Sequence, residues 1–162
     1  TDAASSEFDP NAANPVIDIL PEQKKIEGLG GNMRLGGKDV LVEPGTLAAY
    51  LFDNAHSVRR RFRHRYEVDP KVIDQLTSQG LTFSGRHPEQ PIMQILELDQ
   101  SAHPFFVGAQ FHPELTSRPL QPSPLFMGLV AAAVRHRHPQ SQSTMLSRWV
   151  RNADECQPVG QE

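Results

Sequence analysis

The chain has 162 residues, 38% of them hydrophobic and 22% charged. That suffices for one folded domain with its own core and excludes a disordered chain. A formal charge of -3 gives no basis for general nucleic-acid binding, and the longest apolar stretch, 125–134, is far too short to span a bilayer. A single cysteine, Cys156, excludes an internal disulfide and fits a reducing, cytoplasmic setting.

The start, Thr1-Asp2-Ala3-Ala4, lacks the basic and apolar regions of a signal peptide and lacks an initiator methionine. It reads as the start of a piece of something longer. Residues 1–14 are polar, with Asp9-Pro10-Asn11 as a turn, and a short apolar segment, 15–20, closes at Pro21. Five glycines between Gly28 and Gly37 surround Met33-Arg34-Leu35. Two readings fit them, an ordinary glycine-rich connection and a flexible lid bracketing a short strand. A phosphate-binding loop does not fit, since no GK[ST] follows.

Residues 39–43 alternate weakly and read as a strand, followed by the turn Pro44-Gly45. Thr46 then caps a short helix through Phe52, with Leu47, Tyr50 and Leu51 on one face. Residues 62–68 alternate as a strand and end at Asp69-Pro70. Pro70 opens a helix with Val72, Ile73 and Leu76 as its buried stripe and Gly80 as its stop. A short strand, 81–85, precedes the two strongest strand segments, 92–98 and 105–111, whose six-residue connection predicts an antiparallel hairpin. The clearest helix runs from Leu125 to His136, with Leu125, Phe126, Leu129, Val130, Ala133 and Val134 on one face. Beyond Pro139 the pattern dissolves. Residues 1–138 read as the domain and 139–162 as a flexible tail, or a tail with a short helix at Trp149.

Two groups of residues carry chemistry. In Phe111-His112-Pro113-Glu114 an imidazole and a carboxylate stand two positions apart where a strand runs out, so both side chains point to one side. Pro113 ends the ladder because it has no N–H to donate. The pair reads equally as a surface His and Glu or as a general base with its orienting carboxylate. Such a base normally activates Ser, Cys or Thr, and no nucleophile accompanies it here. The second group is Arg59 to Arg65, with five arginines in seven residues. Strand alternation separates Arg61, Arg63 and Arg65 from Phe62, His64 and Tyr66. The readings are a solvated basic edge strand, a nucleic-acid contact disfavoured by the net charge, and an arginine clamp on a substrate carboxylate. No metal-binding spacing appears among the seven histidines, and His56, His87, His103, His136 and His138 read as surface residues.

The stretches Ser5-Ser6-Glu7-Phe8, Pro15-Val16-Ile17-Asp18, LGGNMRLG (29–36), RHRYEV (63–68), SGR (84–86), HPFFVGAQFHPEL (103–115) and SRPLQPSPLFMGL (117–129) add up to a resemblance. Over about residues 5–135 the chain resembles the C-terminal part of the class I glutamine amidotransferase domain of the CTP synthase family. The HPE segment alone indicates only a class I glutaminase. The RHRYEV, GGNMRLG and SRP…PSPLF segments together are specific to that family.

The resemblance implies an α/β fold: the later portion of a flavodoxin-like open sheet with flanking helices and an antiparallel hairpin. It implies that His112 shuttles a proton and that Glu114 orients its ring. It further implies that Glu7 and Arg65 contact L-glutamine, Glu7 at the α-ammonium and Arg65 at the α-carboxylate by charge complementarity. The family's cysteine elbow lies upstream of the S-x-E-F segment, and Cys156, in the polar tail, does not replace it. The isolated chain is therefore expected to be inactive. ATP and Mg belong to the full-length family's synthase domain, where ammonia aminates UTP, and so does homo-oligomer formation. No cofactor, metal, nucleic acid or membrane is expected for the chain itself. The alternative is a non-catalytic binding or regulatory module on a degenerate amidotransferase domain.

Overall fold

The computed structural model describes residues 2–19, 33–140 and 148–149. Two sheets organise them. In a three-stranded sheet, β1 (Ala3–Ser5) runs parallel to β2 (Asn14–Asp18). The third strand of this sheet is reached only after the chain has built much of a second, five-stranded one. That second sheet starts with β3 (Arg34–Val42), continues through helix α1 (Leu47–Leu51), and returns antiparallel as β4 (Ser57–His64). Residues 65–66 then cross back, and β5 (Glu67–Val68) pairs antiparallel with β2.

A 3-10 turn at Pro70–Val72 and helix α2 (Ile73–Ser78) follow, stopped at Gly80, whose φ of 92° suits glycine. Then come β6 (Leu81–Arg86), β7 (Met93–Leu98) and β8 (Val107–Ala109), completing an antiparallel sheet of order β4-β3-β6-β7-β8. A second 3-10 turn, Pro113–Leu115, leads on to helix α3 (Pro124–Arg137). The fold is mixed α/β, and among the described residues β1–β2 is the one parallel pair.

The core lies where α1 and α3 meet the five-stranded sheet. Val40, Val42, Leu47, Leu51, Phe52, Phe62, Ile95, Phe111 and Leu125 are buried there, and Trp149 packs against them. Arg148 adds an ion pair to Asp53 at 3.1 Å. The remainder of the expected tail, apart from residues 139–140, lies outside the described residues, as does 20–32 with most of the glycine-rich segment.

Helix α1 is capped twice. Thr46 Oγ1 accepts from the Ala49 N–H, as its position suggests. The buried Glu97 carboxylate, from β7, accepts from the Leu47 and Ala48 N–H groups at 2.7 and 3.0 Å. Those are orphan donors of the first turn, beside the positive end of the helix.

Four expectations change. The short strand among the glycines and the strand at 39–43 are one element, β3, because ladder bonds to β4 run through Gly36 and Gly37 without side chains. The strand at 62–68 is two strands in two sheets, with the change at 65–66; side-chain alternation carries on across that change and so hides it. Regular pairing in β8 shortens to 107–109, although the Leu98 N–H still donates to Phe106 O and the Gln110 N–H to Gln94 O. In α3 the buried residues are Leu125, Gly128 and Ala131, while Phe126, Leu129 and Val130 face solvent. Gly128 sets this rotation. A Cβ there would meet Phe105 at 2.7 Å and Leu51 at 2.8 Å, so the helix seats its glycine on α1 rather than its bulkier stripe.

Candidate active site

The segment that leaves β8 descends into the core before it surfaces. Phe111 is buried and meets Phe62 edge to face, ring centroids 5.9 Å apart. The next residue, His112, donates its backbone N–H to Arg61 O at 2.9 Å, which fixes it against β4. Pro113 then starts the 3-10 turn and brings Glu114 back toward the ring. His112 Nδ1 and Glu114 Oε1 are 2.7 Å apart. With the carboxylate charged, Nδ1 carries the proton and donates it, which leaves Nε2 to take up another. The His112 side chain is 35% exposed, within reach of an incoming molecule. Glu114 is held below the ordinary value of 4.5, first by the hydrogen bond from His112 and then by one from its own backbone; the charges of His112 and Arg63 act the same way.

Arg65 lies at the crossing between the sheets and is exposed. The next carbonyl, Tyr66 O, accepts from Gln110 Nε2 at 2.7 Å. Arg61 O and Tyr66 O thus tie the β4–β5 segment to the 110–112 segment on either side of Arg65. Glu7, also exposed, follows β1 by two residues, and Arg65 precedes β5 by two. Because β1 and β2 are parallel and β5 is antiparallel to β2, both lie at the same end of the three-stranded sheet. The turn carrying Glu7 is held by the Ser6 N–H to Ile17 O at 2.9 Å and by Ser6 Oγ to Asp18 Oδ1 at 2.6 Å. No side-chain bond joins Glu7, Arg65 and His112 among the described residues.

The basic run behaves mainly as an edge strand. Arg59 pairs with Asp39 at 3.2 Å, Arg60 lies over the Phe52 ring, and Arg61 and Arg63 are exposed. Charged side chains on an edge discourage pairing with another chain.

Sequence reasoning missed one cluster. Glu67 is 1% exposed, and its Oε1 accepts from Arg34 Nε at 2.7 Å and lies 2.8 Å from His64 Nε2. Alternation gave no signal for it, since it groups Glu67 with the exposed Arg61, Arg63 and Arg65; the change of sheet at 65–66 is what turns it inward. His87, expected at the surface, is half-buried, and its Nδ1 accepts from the Glu89 and Gln90 N–H groups. Among the described residues, no group of three or more His, Cys, Asp or Glu side chains is placed to hold a metal ion, and no helix is long and apolar enough to cross a membrane.

The family model for class-I glutamine amidotransferases matches residues 10–132. CTP synthase of Methanopyrus kandleri is 50% identical over 132 residues, covering 82% of this chain and 24% of that protein. CTP synthase of Halobacterium salinarum is 53% identical over 134 residues, covering 83% and 23%. The chain therefore spans about a quarter of the length of these curated relatives. Among solved structures, the Trypanosoma brucei CTPS glutaminase domain with bound acivicin aligns with a TM-score of 0.74 at 31% identity, over 83% of this chain and 51% of that one.

Proposed function

This chain belongs to the class I glutamine amidotransferase family, and from that premise we propose that it carries the proton-transfer and glutamine-binding part of a CTP synthase glutaminase site. The observation that carries the reading is the His112–Glu114 pair, 2.7 Å apart, with Nε2 left to accept a proton. In this reading a thiol loses its proton to His112 Nε2 as its sulfur attacks the side-chain amide carbon of L-glutamine. The imidazolium then returns the proton to the departing nitrogen, so ammonia leaves and a thioester remains. Water, deprotonated by the same nitrogen, hydrolyses the thioester to glutamate. Glu114 holds the ring in the required tautomer throughout. Arg65 meets the substrate's α-carboxylate and Glu7 its α-ammonium.

The described residues contain no cysteine, and Cys156 lies outside them. The thiol is assigned to a cysteine elbow supplied from elsewhere. Ammonia passes to a synthase portion that uses ATP and Mg to aminate UTP. Homo-oligomer formation belongs to that portion too, and the whole acts in the cytoplasm. No cofactor is assigned to this chain.

The test combines calorimetry with an ammonia assay. The 162-residue chain alone should hydrolyse glutamine no faster than background, while Arg65→Ala weakens glutamine binding at least tenfold. Mixed with a polypeptide supplying the family's cysteine elbow, the chain should restore hydrolysis, and His112→Ala should abolish it. Turnover by the chain alone that survives Cys156→Ala overturns the reading. A mixture that binds glutamine without hydrolysing it favours a non-catalytic module.

A further inference from the structure

Residues 65–66 form a two-residue crossing between sheets, and its two ends are fastened by side chains. On the near side stands His64, the last residue of β4; on the far side stands Glu67, the first of β5. Their side chains meet at 2.8 Å and close a loop around Arg65 and Tyr66. The same Glu67 oxygen accepts from Arg34 Nε at 2.7 Å, and Arg34 is the register partner of His64 across β3 and β4. The carboxylate therefore locks the end of the β3–β4 ladder to the first residue of β5 in the other sheet. A third bond, Gln110 Nε2 to Tyr66 O at 2.7 Å, ties the crossing to the segment that delivers His112.

We propose that Glu67, assisted by Gln110, is a positioning residue that holds the Arg65 backbone where its guanidinium meets the α-carboxylate of the amino-acid substrate. The proposal rests on the glutamine-binding reading above. Glu67 is too deeply buried to touch substrate itself, and both of its partners are largely buried with it. The guanidinium of Arg65 stays free to turn, but its Cα is anchored from both sides. A two-residue crossing without that anchor would have to be ordered at each binding event, at the expense of affinity.

The experiment pairs amide hydrogen exchange with calorimetric titration of L-glutamine on the full chain and its variants. Gln110→Leu should speed exchange across residues 65–67 at least tenfold, leave β7 amides unchanged, and raise the glutamine Kd at least fivefold. Glu67→Ala should do the same more strongly. Glu67→Gln, whose amide oxygen still accepts from Arg34, should recover part of both losses. Arg65→Ala should raise the Kd without altering exchange. Where Glu67→Ala fails to fold, Glu67→Gln and Gln110→Leu decide. Faster exchange with unchanged Kd in these variants reduces Glu67 to a purely structural role and overturns the proposal, as does unchanged exchange. A wild-type chain that binds no glutamine overturns the functional reading of Arg65, and the exchange data then report on the clamp alone.

Discussion

Glu114 and His87 are held to opposite roles by their surroundings. Glu114 takes a hydrogen bond as a carboxylate, so its folded pKa falls below 4.5. The unfolded chain then binds the extra proton first as pH drops. The bond to His112 stabilises the fold at pH above about 4.5 and is lost as pH falls through the lower, folded value. The stability difference between wild type and Glu114→Gln should therefore shrink toward zero in acid melts. Where the nucleophile is supplied, the same substitution should slow hydrolysis about 100-fold or more, since the ring loses its fixed tautomer. His87 is held below 6.5, first by burial and then by the Arg34 charge, against smaller opposing effects of Glu89 and Glu67. Its Nδ1 must stay unprotonated to accept from the 89 and 90 amides. For this base, stability is lost as pH falls from 6.5 toward the folded value. An NMR titration should place the His87 midpoint below 6.5, with the Glu89 and Gln90 amide shifts following it; a midpoint at or above 6.5 refutes this. The His112–Glu114 contact was legible because two residues on either side of Pro113 are brought together by a local turn. The role of Glu67 was not, because its partners lie three and 33 residues away and only the crossing of two sheets brings them together.

At the scale of elements, periodicity located the helices but not always the side they bury. Thr46 and its helix were legible from a cap followed by apolar residues. The hairpin of β7 and β8 was legible from two strands and a short connection. Helix α3 was placed within one residue at each end, yet apart from the buried Leu125 its apolar stripe is turned largely outward. A pattern reading ranks faces by hydrophobicity, whereas packing here is decided by closeness of approach at Gly128. Gly128→Val should therefore destabilise the chain by about 2 kcal/mol, because overpacking against Leu51 and Phe105 outweighs any gain in helix propensity. Thr46→Ala should cost about 1 kcal/mol. Both are read from denaturant melts.

For the molecule as a whole, that outward face matters. Phe126, Leu129 and Val130 are 41%, 52% and 49% exposed on one side of α3. The isolated chain should self-associate, and Leu129→Lys should shift sedimentation toward monomer without lowering the melting temperature. A monomeric wild type would refute this. The capping of α1 by Glu97 bears on the order of events in folding. A five-residue helix is too short to persist alone, and its first turn is completed by a side chain about 50 positions later in the chain. Helix α1 should therefore form late, after β7 is laid down. Ala49→Gly should then speed unfolding and leave the refolding rate nearly unchanged in a chevron plot. During synthesis, residues 47–51 would emerge with Thr46 but well before Glu97, and wait for that second cap.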